Sequence, residues 1–246
     1  MISPFDLPQG ILLLVTDQLA SPADFVLHRS LIEHLKNAKP NAKKRKAIVL
    51  SVSEHLARWK ATAAKSNVNL EQKTASGSFV FIDVLERVPP PDNALPGDPV
   101  LRPILDAVVS VLDESEDTLV IVDDLAVLEW IGFALLDITR FCRALHATCR
   151  KARATLLIRQ HVMTPPTAEP LLDDLFRHLF QMSSYHMEIL PLSSGRSGAV
   201  SGQVALHLGP GMPHEVKLLP RSSALQYKLT DGGAVFFERG TEAGIL

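Results

Sequence analysis

The stretch GILLLVTDQLASPADFVLHRSLIEHLK, residues 10–36, decides how the rest of the chain is read. Residues 11–15 form an unbroken apolar run, the pattern of a strand buried on both faces. Ser21, Pro22 and Asp24 then read as the N-cap, first-turn proline and early acid of a helix. The apolar side of that helix is Phe25, Val26, Leu31, Ile32 and Leu35. Strand, turn and amphipathic helix together make the frame of a phosphate-binding unit. The turn itself, TDQLASPAD, lacks the G-x-x-x-x-G-K-[ST] pattern whose glycines wrap phosphates in backbone N–H groups and whose lysine offsets their charge. No glycine occurs between Gly10 and Gly77, and no lysine precedes Lys36. A phosphate at this helix start would also meet the negative Asp24. The frame is present and its chemistry is missing.

The 246 residues are 46% hydrophobic and 21% charged, ordinary for a soluble globular protein with a substantial core, and read as one domain spanning residues 1–246. A formal net charge of −2 excludes a global field that would recruit nucleic acid, so any such contact must be a local patch. Cys142 and Cys149 fall in one expected helix about 10.5 Å apart, too far for a disulfide, and read as reduced core residues. The N-terminus lacks a basic region and a long apolar run, so no signal peptide is expected. The longest apolar stretch, 125–136, contains Glu129 and is too short to span a membrane. These features point to a cytoplasmic protein with no membrane partner.

Further strands are expected at 47–52, 79–84, 118–122 and 154–159, separated by helices at 53–65, 101–112 and 126–150. In the last helix Leu128, Ile131, Leu135, Ile138, Cys142, Leu145 and Cys149 follow a 3-4 spacing that suits packing on a sheet. Polar residues 66–78 and the proline-rich stretches 89–99 and 164–170 read as connectors. After a short helix at 171–180 the pattern turns to β, at 185–190, 204–208, 215–219 and a hairpin of 225–229 with 234–238. Alternation followed by a β-meander predicts an α/β fold, mostly parallel, with a C-terminal antiparallel extension.

Other chemistry finds little support. The strand-end pair Asp123–Asp124 has the form of a magnesium-holding acid, but with no phosphate loop opposite it reads as a helix-capping feature. Residues 195–199, GRSGA, miss the G-x-S-x-G elbow by one position. Neither H-E-x-x-H nor C-x-x-C occurs, and no strand is followed by G-x-G-x-x-G. His161 reads as a solvated loop histidine. The basic run Lys36, Lys39, Lys43, Lys44, Arg45 and Lys46 reads as a solvated loop, since no aromatic residue interleaves to stack bases.

A phosphate-loop frame without its loop, an acid-tipped fourth strand and a β extension resemble the RecA-like ATPase fold in a degenerate form. More narrowly, ILLLVTD, KAIVLSVSEH and GSFVFIDVL resemble the Elongator subunit 6 family, with the elements in matching order over most of the chain. That resemblance implies a non-catalytic chain without cofactor or metal. It would alternate with Elongator subunits 4 and 5 in a heterohexameric ring, join the Elongator catalytic core and serve tRNA wobble-uridine modification in the cytoplasm, with a nuclear pool left open. It also places the loops after the fourth and fifth strands, 124–130 and 160–170, at a central channel that binds tRNA. The cations near them, Arg159, His161 and Arg177, are then the expected nucleic-acid contacts. Two other readings stay open: an atypical RecA-like ATPase acting alone, and a stand-alone α/β enzyme for a small molecule.

Overall fold

The computed structural model describes residues 7–36, 43–88, 100–162, 173–192, 198–210 and 218–238. The parallel strands are β1 (Leu12–Asp17), β2 (Arg45–Ser51), β3 (Phe79–Asp83), β4 (Asp117–Asp123), β5 (Thr155–His161) and β6 (Tyr185–Leu190). The antiparallel ones are β7 (Gly202–Leu208), β8 (Leu225–Thr230) and β9 (Gly233–Phe237). All nine belong to one sheet in the order β3-β2-β4-β5-β1-β6-β7-β8-β9. The helices are α1 (Asp24–Lys36), α2 (Leu56–Lys65), α3 (Leu70–Ala75), α4 (Arg102–Val111), α5 (Ala126–Trp130), α6 (Leu135–Lys151) and α7 (Asp174–Met182).

Strand alternation divides the core in two. On one face Leu13 and Val15 of β1, Val49 of β2, Ile121 of β4 and Leu157 of β5 pack with Val26 and Leu31 of α1 and Trp59 of α2. On the other, Leu12, Leu14, Ile48, Val120 and Ile158 pack with Ile104 of α4, Ile138, Cys142 and Leu145 of α6, and Leu175 of α7. A sheet covered on both sides requires apolar side chains at odd and even positions alike, which is why these strands read as continuous greasy runs. β1 sends its helix to the first face, while β4 and β5 send theirs to the second. The chain therefore changes direction at the carboxyl ends of β1, β5 and β4, where doubly wound sheets place their ligands.

Three local expectations are corrected. Helix α1 begins at Asp24, and Ser21 does not cap it: Ser21 N–H bonds back to the Gln18 carbonyl at 2.8 Å, and the first helical turn is held from outside by Asp17. The expected helix 126–150 is two helices. Phe133 N–H reaches the Leu128 carbonyl and Gly132 N–H the Glu129 carbonyl, both at 3.0 Å, with Gly132 at φ 103°. These bonds form a Schellman stop, which satisfies the end of α5 and lets Phe133 pack beside Leu128 in the core. The polar connector 66–78 contains α3, whose start is capped by Asn69 accepting from Gln72 N–H at 3.1 Å. The prolines of 89–99 and 164–170, the Ser/Gly stretch 193–197 and residues 215–217 of an expected strand lie outside the described residues. Leu219 pairs with Leu206 as an isolated antiparallel bridge. No described helix is long and apolar enough to cross a membrane.

Candidate functional site

At the carboxyl ends of β1, β4 and β5, three acids converge on one guanidinium. Asp17, the last residue of β1, is 1% exposed. Its Oδ2 accepts from Ala23 N–H at 2.6 Å and from Arg159 Nε and Nη2 at 3.0 and 2.8 Å. Its Oδ1 lies 2.9 Å from His161 Nδ1. Arg159, 6% exposed on β5, turns Nη1 to Asp24 in the first turn of α1 and to Asp123 Oδ1, 3.5 Å away at the end of β4. Asp123 Oδ2 is met at 2.9 Å by the hydroxyls of Ser51 and Ser53. Asp124 follows at φ 49°, buried beside the others.

Each placement has a local cause. A strand buried on both faces gives Arg159 no route to solvent, so its charge has to be matched inside the protein. Burial alone would loosen its proton, but Asp17 and Asp24 hold it above the ordinary guanidinium range. Burial pushes the Asp123 carboxyl up to about 6, against the opposing pull of Arg159 and the two serine hydroxyls. Asp124 is raised as well, first by burial, with Asp17 adding to the effect.

The arrangement occupies the place of a nucleotide phosphate. The N-terminus of a helix after the first strand of such a sheet is an anion site, because its leading N–H groups lack intrahelical partners. Here the Asp17 carboxylate sits on Ala23 N–H as the anion, and Arg159 stands beside it as the cation. An incoming phosphate would have to displace a buried carboxylate from its counterion. The cluster ties the ends of β1, β4 and β5 to the start of α1.

The three cations expected to meet nucleic acid are therefore placed very differently. Arg159 and His161 are brought together around Asp17, and both are buried. His161 is a strand residue whose ring meets Trp130 edge-on (centroids 5.6 Å, interplanar 80°), not a solvated loop histidine. Arg177 lies apart on α7, its side chain 54% exposed and 3.3 Å from Asp174. Of the basic run, Lys39 lies outside the described residues, while residues 43–46 are at the opposite end of the sheet, where Lys44 and Lys46 pair with Glu116 at 3.2 and 2.8 Å and Arg45 with Asp117 at 3.5 Å. Sequence reasoning missed the roles of Asp17 and Asp24 as partners of Arg159. The signal was an arginine inside LLIRQH, a run too apolar to leave its charge in water.

A doubly wound sheet of this order, with an antiparallel extension and an ion cluster where a phosphate would lie, defines a RecA-like protein without a phosphate loop. No protein-family model matches the chain. Elongator complex protein 6 of Danio rerio is 25% identical to it over 266 residues, spanning 99% of this chain and 96% of that protein. The likeness to Elongator subunit 6 read from the first three strands thus extends over the full chain.

Proposed function

We propose that this chain is an Elongator subunit that acts as a non-catalytic member of an accessory ring formed with subunits 4 and 5. In that ring it supplies interface and scaffold for tRNA wobble-uridine modification. The observation that carries the reading is the Asp17–Arg159–Asp123 cluster: the position that would make a RecA-like unit an ATPase is filled by the chain's own side chains. The full-length similarity to Elongator complex protein 6 supports the assignment to that complex. Of the three cations proposed to reach tRNA, Arg177 has the exposed side chain such a contact needs, whereas Arg159 and His161 would act from beneath by fixing the strand ends. The experiment is co-expression of the chain with subunits 4 and 5 from the same source. The expected result is one complex holding all three in equal amounts. A chain that purifies alone as a stable monomer, with neither subunit attached, would overturn the proposal.

A further inference from the structure

Five of the eight large exposed hydrophobic side chains among the described residues lie at the carboxyl edge of the parallel strands: Leu19, Leu85, Trp130, Ile131 and Leu136. Trp130, Ile131 and Leu136 fall within seven residues, on either side of the turn that joins α5 to α6. Exposed apolar side chains grouped in this way on a folded surface point to a contact site.

The charge around Trp130 states what kind of partner fits. Glu129, its neighbour on α5, is raised above its ordinary value first by burial and then by the nearby Asp173 and Asp174. Asp174 pairs with Arg177, whereas Glu129 and Asp173 have no cationic partner within ion-pair distance among the described residues. Just past β4, Asp124 Oδ1 is buried without a hydrogen-bond partner. The edge is thus apolar and negative together. Trp130 offers a face for base stacking, but the two unmatched acids beside it disfavour a phosphate backbone there, unlike the exposed Arg177 on α7.

We propose that this edge, centred on Trp130 and Glu129, docks a neighbouring protein chain that presents arginine or lysine beside apolar side chains. The inference rests on the ring reading above and names the chemistry of the partner surface. Apolar groups supply the contact area, and the basic groups offset the charge that Glu129 and Asp173 leave unmatched.

The test uses the chain co-expressed with subunits 4 and 5, comparing wild type with Trp130→Ala and with Glu129→Lys. Glu129 is exposed and Trp130 is half-exposed, so circular dichroism should match wild type, with at most a small drop in melting temperature where Trp130 leaves His161. The charge reversal should weaken assembly about tenfold or more at low salt, and less at high salt. Trp130→Ala should weaken it at both. Fluorescence gives an independent readout, because the chain has two tryptophans and Trp59 is fully buried while Trp130 is 53% exposed. Acrylamide should quench one tryptophan in the isolated chain and neither in the complex. Variants that assemble as well as a wild type that itself assembles overturn this inference and leave the ring reading standing. A wild type that does not assemble overturns both. Trp130 shielded in the dilute isolated chain, or shielded only as its concentration rises, assigns the patch to the chain itself or to a second copy, and overturns the proposal. Intact assembly with loss of tRNA binding in Trp130→Ala would assign the patch to RNA and overturn the proposal equally.

Discussion

Arg159 and Asp123 show at a single pair of residues how burial and charge compete. Their atoms approach to 3.5 Å, an attraction that would ordinarily lower the pKa of an acid. Desolvation outweighs it, and the Asp123 carboxyl rises from 3.8 to about 6. A folded-state pKa above the unfolded one means that the native protein binds the proton more tightly. The stabilising effect of that proton is complete below pH 4 and is lost as pH rises through about 6. Asp123→Asn removes the titration and keeps an oxygen for Ser51 and Ser53. The stability of the Asn variant relative to wild type should therefore grow by about 2 kcal/mol between pH 4 and pH 7. Urea unfolding of both proteins across that range measures it. A difference that stays flat, or shrinks with rising pH, would show that Arg159 dominates Asp123.

Among the elements, the turn between α5 and α6 is the most instructive. The 3-4 stripe through Leu128, Ile131, Leu135 and Ile138 reads as one helix because the spacing happens to run on across the break. In the fold Leu128 and Ile138 are buried while Ile131 is exposed. The stop comes from Gly132, whose φ of 103° is a conformation that side chains disfavour. Gly132→Ala should accordingly destabilise the protein by about 1–3 kcal/mol. In a continuous helix the same substitution would stabilise by up to about 1 kcal/mol, so the sign of the shift in urea midpoint separates the two structures. Strands were legible because burial on two faces leaves an unmistakable apolar run, as in β1 and β5. Helix ends were less so, because Gly132, Asn69 and Asp17 act through single hydrogen bonds that leave no periodic trace. The site was half legible. The sequence reveals that a phosphate loop is missing, but the partnership of Asp17 with Arg159 spans 142 positions and exists only once β1 and β5 lie side by side.

At the scale of the whole molecule, the doubly wound sheet retains the crevice at which such folds bind their ligands, and fills it from within. Asp17 takes the anion's place at the start of α1, Arg159 takes the cation's, and the acids at the end of β4 close the set. The edge around that filled crevice carries the exposed Trp130 and the acids proposed above to meet another chain. The carboxylates of the cluster then oppose a phosphate. Titration of the purified chain with magnesium-ATP in a calorimeter decides the matter. The expected result is no saturable heat, in the wild type and in Asp123→Asn alike. Saturable binding of one ATP per chain, abolished by Asp123→Ala, would show instead that the crevice still holds a working nucleotide site.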